Sequence, residues 1–292
     1  MVVASAITSG RKLLAISRKL RSIDKHASIT YIVGVSKVQN DGVLNQLKTD
    51  LRQGGHELII IEQCLLPRSK NHHKTAWDAE LEKLSKYDND DFASSGNLTK
   101  LTNYLQERLD FLKKNQGEEN SLFLKRPTKA VLKLRPSFVF WLDIGLDTGK
   151  ATQADVYWTI QSLLHDLRMK SDETGLASTY HSTLISPVCF DRYNDGIIQA
   201  ALLRSASPTE LNYQLDDRYS RQMTDIVLSI IENWEEDHGE ASLEFLMALW
   251  TRRLKLLDAH LKEIIQLIES KTNCEEFVFF GTALKSQICC AF

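Results

Sequence analysis

"VVASAITSGRKLLAISRKLR", residues 2–21, decides how the rest of the chain is read. Val2 to Ile7 is short, apolar and partly β-branched, which suits a buried strand. Thr8-Ser9-Gly10 follows, with two hydroxyls and a residue free to turn sharply. From Arg11 the period becomes helical. Leu13, Leu14, Ile16, Ser17, Leu20 and Ile23 fall on one face, and Arg11, Lys12, Arg18 and Lys19 on the other. "ITYIVGV", residues 29–35, is a second buried strand. "VLNQLKTDLRQ", residues 43–53, reads as a helix that ends at Gly54-Gly55, and "ELIIIEQCLL", residues 57–66, as a third strand stopped by Pro67. Strand, helix, strand, helix, strand is the unit of a parallel sheet with right-handed crossovers. The expected fold class is therefore α/β, an N-terminal βαβαβ parallel-sheet unit, followed by a mainly α-helical domain.

Ligands of such sheets sit at the carboxyl ends of strands, against helix N-termini. Thr8, Ser9 and Gly10 occupy that place, with Arg11 and Lys12 beside them. Free N–H groups and the positive end of the helix dipole would face an anion there. The same residues also suit a tight turn in which Ser9 caps the helix. Both readings stand at this point.

"VVASAITSGRK" resembles the phosphoribosyl-pyrophosphate motif of type I phosphoribosyltransferases. Val2 and Val3 match the family's strand, and Ala6 and Ile7 its apolar pair. Thr8, Ser9 and Gly10 match the loop that wraps the 5′-phosphate. The two adjacent acids of that family, which face the ribose hydroxyls and help organise the reacting centre, are replaced by Ala4 and Ser5. The resemblance thus implies a phosphate cradle without the acids that support transfer. It covers about the first 70 residues. Family members build half of the sheet, the pyrophosphate loop and the hood before this motif.

A strand that begins at residue 2 and feeds a parallel sheet is expected to be central, with partners on both sides. Either the strand order differs, or the polypeptide is the C-terminal portion of a longer protein. A competing reading makes residues 1–23 a mitochondrial transit sequence, rich in Arg, Lys and Ser and free of acids. Against it, Val2 to Ile7 reads better as a strand, and the next elements follow at short spacing.

The 292 residues, 43% hydrophobic and 25% charged, suffice for one large domain or two small ones. The net charge of -2 hides an asymmetry: residues 1–86 carry 14 Lys and Arg against 8 Asp and Glu, a net of +6, and the remainder a net of -8. A basic first third favours an anionic ligand or surface, or is a solvated face. No apolar run approaches the length that spans a bilayer. Cys64, Cys189, Cys274, Cys289 and Cys290 form no metal-ligand spacing, and their scatter points to reduced thiols in the cytoplasm.

Further along, His72-His73 lies in a polar loop. Thr75-x-x-Asp78 makes a capping box for a helix through Lys86. The acidic, turn-rich residues 87–97 mark a boundary, which gives domains at 1–90 and 91–292. Leu98 to Lys114 is an amphipathic helix. Ala130 to Leu134 and Phe138 to Leu142 form a candidate strand pair, split at Pro136. Gln153 to Arg168 is a helix whose His165 and Asp166 diverge too far to act together. Cys189 reads as core. Asn194-Asp195-Gly196 turns the chain and caps a helix over Ile197–Ala206. Arg192 and Arg204 read as structural groups of that turn. Helices follow over Arg218–Glu235, Ala241–Leu256 and Leu257–Ser270. Cys289 to Phe292 has the form of a prenylation box, with no polybasic stretch before it.

No Ser/His/Asp set, metal cluster, Walker motif or dinucleotide fingerprint is complete. The expected function is a non-catalytic or accessory protein with a phosphate or phosphoribosyl cradle, no cofactor and no metal, and a helical part that contacts other protein or the remainder of a longer polypeptide. The alternatives are a phosphoribosyl or nucleotide transferase completed by another chain or an upstream segment, and a nucleic-acid binder with a basic surface. The latter is disfavoured, because nothing resembles a known nucleic-acid module.

Overall fold

The computed structural model describes residues 1–23, 28–38, 41–63, 74–89, 100–114, 118–135, 151–169 and 184–289. The chain divides into two compact units, Met1–His73 and Lys74–Phe292. His72-His73, the candidate strand 138–142, residues 64–66 of the third strand and residues 290–292 lie outside the described residues, as does most of the acidic stretch 87–97.

The first unit is a three-stranded parallel sheet in the order β1-β2-β3, with β1 at Val2–Ile7, β2 at Thr30–Ser36 and β3 at Glu57–Gln63. Helices α1 (Arg11–Ile23) and α2 (Asp41–Gln53) make the crossovers. Val2 pairs with Tyr31 and Ala4 with Val33, and Tyr31 pairs with Leu58 and Val33 with Ile60. These six side chains share a core with Leu13, Leu14 and Leu20 of α1 and Leu44, Leu47 and Leu51 of α2. Both helices therefore cover the same sheet face. On the other face Val3, Ile59 and Ile61 are exposed. The expectation that β1 is central is corrected: β2, the more continuously apolar strand, takes the centre and β1 lies at an edge. Ile16, placed on the buried face of α1 by periodicity, stands exposed at its flank.

The second unit is helical. It runs through α3 (Ala76–Asn89), α4 (Asn103–Lys114), α5 (Gln153–Met169), the short α6 (Val188–Arg192), α7 (Gly196–Ser205), α8 (Asp217–Glu232), α9 (Ser242–Trp250), α10 (Asp258–Ser270) and α11 (Glu275–Cys289). Every residue of α7 and of α9 is buried. Trp250, Phe279 and Phe280 meet edge to face at 5.3–5.9 Å between ring centres, the preferred aromatic geometry. The capping box holds: the Thr75 amide donates to Asp78 Oδ2 at 2.9 Å, and the Asp78 amide to Thr75 Oγ1 at 3.1 Å. Helix α3 packs on α4 and α7, in the second unit, although the composition shift puts the boundary after it.

Residues 130–134 carry no ladder among the described residues. Backbone groups here pair outside any ladder: the Arg126 amide donates to the Ala130 carbonyl at 2.8 Å, and side chains serve two neighbours. Gln153 Nε2 donates to the Leu132 carbonyl at 3.2 Å, and the Arg135 amide donates to Asp195 Oδ2 at 2.8 Å.

Two helices close with the same hydrogen-bond pattern. At the end of α2 the His56 amide donates to the Leu51 carbonyl at 3.1 Å and the Gly55 amide to the Arg52 carbonyl at 2.9 Å. At the end of α9 the Arg253 amide donates to the Ala248 carbonyl at 2.9 Å and the Arg252 amide to the Leu249 carbonyl at 3.0 Å. Both are Schellman caps, which place one residue in the left-handed region. In α2 that residue is Gly55, with φ of 72°. In α9 it is Arg252, with φ of 58°. The left-handed backbone costs a residue with a Cβ roughly 1–2 kcal/mol.

Candidate functional site

The carboxyl end of β1 delivers the chain into the Thr8-Ser9-Gly10 turn. The Ile7 carbonyl accepts from the Lys37 amide at 2.7 Å, which ties the base of the turn to the residue after β2. Gly10 has φ of 66°, and a Cβ there would lie 2.5 Å from Leu47 Cδ2. Only glycine both adopts that backbone and lets α1 start so close to α2. The Leu14 amide donates to the Gly10 carbonyl at 3.1 Å, the first bond of the helix. The amides of Arg11, Lys12 and Leu13 precede it, so they have no acceptor within α1.

The two helix starts at this end of the sheet differ in charge. Helix α2 begins with Asp41, whose carboxylate also accepts from Gln63 Nε2 at 2.8 Å. Its positive end is offset by its own anion. The first turn of α1 has no acid and carries Arg11 and Lys12, both exposed. Thr8 is exposed, Ser9 half-buried and Gly10 buried. Thr8, Ser9, Gly10, Arg11 and Lys12 are thus gathered by chain continuity at one helix start. Ser36, unremarked in the sequence, aligns with Ile7 at the end of β2. It is fully buried, and its hydroxyl has no hydrogen-bond partner among the described residues. It lies one residue past the strand read from sequence, 29–35, and no local pattern singles it out.

This arrangement can hold an anion. Strand β1 brings no carboxylate to the turn, since Ala4 is half-buried in the core and Ser5 is exposed. His56, a buried imidazole among the unit's described residues, is at the other end of the strands, where Nδ1 accepts from the Ile29 amide at 3.3 Å. Burial, and the nearby Arg21, hold its pKa below the ordinary 6.5.

In the helical unit, Asp195 is the cap expected for α7, accepting from the Ile197 amide at 3.2 Å. Cys189 is half-buried, and burial pushes its thiol up against the opposing charge of Arg192, away from thiolate chemistry. Arg204 is structural, but in the interior of the unit. It joins Glu80, Arg108 and Glu244 in a buried cluster from α7, α3, α4 and α9. Arg108 Nε donates to Glu80 Oε1 at 2.9 Å, and its Nη1 and Nη2 donate to the Ser121 and Leu122 carbonyls at 2.7 and 2.8 Å. Arg204 Nη1 donates to the other Glu80 oxygen. Burial alone would raise the Glu80 pKa, but the two guanidinium groups prevail and hold it at about 2. Nothing in the periodicity signals this cluster, because buried and exposed charges look alike in sequence.

Compared with protein families, with curated proteins and with solved structures, the chain returns no match.

Proposed function

We propose that this is a non-catalytic or accessory protein whose α/β unit holds a phosphorylated small molecule at Thr8, Ser9, Gly10, Arg11 and Lys12, and whose helical unit contacts another protein. The observation that carries the reading is the start of α1. It offers three amides without helical acceptors, two cations and no acid, while the neighbouring helix start is neutralised by Asp41. Ala4 and Ser5, where the resembling family has acids, support binding without transfer. Leu163, Val188, Leu215 and Val278 are among the exposed apolar side chains that the described residues of the helical unit offer a partner.

Titration calorimetry with ribose 5-phosphate and phosphoribosyl pyrophosphate tests this. Both should bind, and Arg11→Gln with Lys12→Gln should weaken them about tenfold or more. Loss of neither ligand in that variant, or no binding at millimolar concentration, would sink it. One observation favours the second reading, a phosphoribosyl or nucleotide transferase completed by another chain or segment: β1 is an edge strand to which further strands could add. Turnover of phosphoribosyl pyrophosphate with a panel of bases would establish that reading and overturn the non-catalytic one.

A further inference from the structure

Thr251-Arg252-Arg253 ends α9, and its two arginines divide sharply in role. Arg253 is buried, and its Nη2 donates to the Arg204 and Ala206 carbonyls at the end of α7. Arg252 is exposed and makes no ion pair or side-chain hydrogen bond among the described residues. It nevertheless holds the left-handed cap position that α2 gives to Gly55. The other left-handed non-glycine residue, Lys129, has an evident reason: its ammonium meets the buried Glu276 carboxylate and sits 5.1 Å over the Tyr104 ring. A strained residue with no partner is an observation from which function can be inferred.

Arg252 borders a cavity of about 270 Å³. Among the described residues, Lys255 and Asp258 are the other charged groups on its wall, and Leu249, Leu261 and Ile288 are part of its apolar lining. Lys255 is fixed in place by its backbone: its amide donates to the Leu211 carbonyl at 3.0 Å, and its carbonyl accepts from the Tyr213 amide at 2.9 Å. Its ammonium also lacks an ion pair among the described residues. Two cations thus face one carboxylate. The neighbourhood is positive beyond the wall too: burial, then Arg252 and Lys86, lower the pKa of Lys83, whose ammonium lies 5.3 Å over the Trp250 ring. Arg252 therefore bears both backbone strain and like-charge repulsion.

We propose that the cavity between the end of α9, the start of α10 and the last turns of α11 binds a small amphipathic anion, a carboxylate or phosphate monoester on a short apolar body, gripped by Arg252 and Lys255. The charge balance leaves room for one anionic group, and the leucines and Ile288 receive the apolar body. The volume fits a ligand smaller than a typical drug. The site lies in the helical unit and does not depend on the phosphate cradle at Thr8–Lys12.

The test titrates the full chain with 3-phenylpropionate, phenyl phosphate, neutral 3-phenylpropan-1-ol and inorganic phosphate. Either or both of the first two should bind with Kd below about 1 mM, and the alcohol and inorganic phosphate about tenfold more weakly. Which of the two binds identifies the head group as carboxylate or phosphate. Arg252→Gly and Lys255→Gln should each weaken the bound amphiphile about ten- to a hundredfold. Arg11→Gln should leave that affinity unchanged, which separates this site from the cradle. Arg252→Gly should also raise the melting temperature of the unliganded protein, because glycine relieves the cap. Three results overturn the proposal: no amphipathic anion binds more tightly than the alcohol, affinity survives both substitutions, or Arg252→Gly lowers the melting temperature.

Discussion

Arg204 and Glu244 meet in a two-pronged pair, Nε to Oε2 at 2.8 Å and Nη2 to Oε1 at 2.9 Å, with both side chains almost wholly buried. Arg204 also serves Glu80, so one guanidinium answers two carboxylates. Replacing it with Met leaves Glu244 with the Leu124 amide as its remaining donor and Glu80 with Arg108. Breaking a buried pair from one side typically costs about 3–5 kcal/mol. Urea denaturation of Arg204→Met should show a loss of that size in the helical unit. A loss below about 1 kcal/mol, the scale of an exposed pair, would mean that the cluster is solvated.

Gly10 should not accept a side chain. Its left-handed backbone costs an alanine roughly 1–2 kcal/mol, and the contact with Leu47 adds overpacking of about 1–3 kcal/mol. Gly10→Ala should therefore destabilise the α/β unit by about 2–5 kcal/mol. Adding Leu47→Ala removes the collision and keeps the backbone strain. In the double-mutant cycle the two losses should sum to more than the combined variant shows, and strict additivity would contradict the packing argument.

The His56 imidazole gives the α/β unit a pH dependence of definite sign. Its folded pKa is lowered below the unfolded 6.5, so the unfolded chain binds more protons between those two values. The stabilisation is complete above the unfolded pKa and is lost as pH falls through that window. Amide exchange at Tyr31 and Val33 should quicken, after correction for intrinsic rates, between pH ~7.5 and ~5. His56→Gln keeps an acceptor for the Ile29 amide and should flatten this dependence. An unchanged slope in that variant would assign it elsewhere.

Asp195 caps α7 and also receives the Arg135 amide. Asp195→Ala removes both bonds in a fully buried setting, with an expected cost of about 2 kcal/mol. Its carboxyl is raised by burial, which outweighs the donors from Arg135, Ile197 and Ile198. Asp195→Asn should retain much of the cap and lie closer to the wild type in thermal melting than Asp195→Ala does.

The α/β unit is legible in sequence because each of its elements buries one face. Leu44, Leu47 and Leu51 recur at helical spacing, and Tyr31 and Val33 alternate along a strand. Strand order left no trace, since an edge strand with one helix-covered face has the same local pattern as a central one. Helix α11 carries no clear period in sequence because Phe277, Val278, Phe279 and Phe280 form a continuous apolar run, although only three of the four are buried and Val278 lies on the exposed face with Glu275 and Lys285. Helical spacing runs on to Leu256, past the end of α9 at Trp250, because Arg252 stands where a glycine would signal the stop. At the candidate turn, sequence offers the five contiguous residues and cannot supply Ser36, which only strand register brings alongside Ile7.

The ion cluster also sets where the polypeptide can be cut. Its members come from four helices, and two of them, Glu80 and Arg108, lie on either side of residue 90. A shortened polypeptide starting at Lys74 retains both carboxylates and both guanidinium groups of the cluster. One starting at residue 91 discards Glu80 and leaves the cluster's two guanidinium groups to a single carboxylate, the kind of buried imbalance that costs about 3–5 kcal/mol.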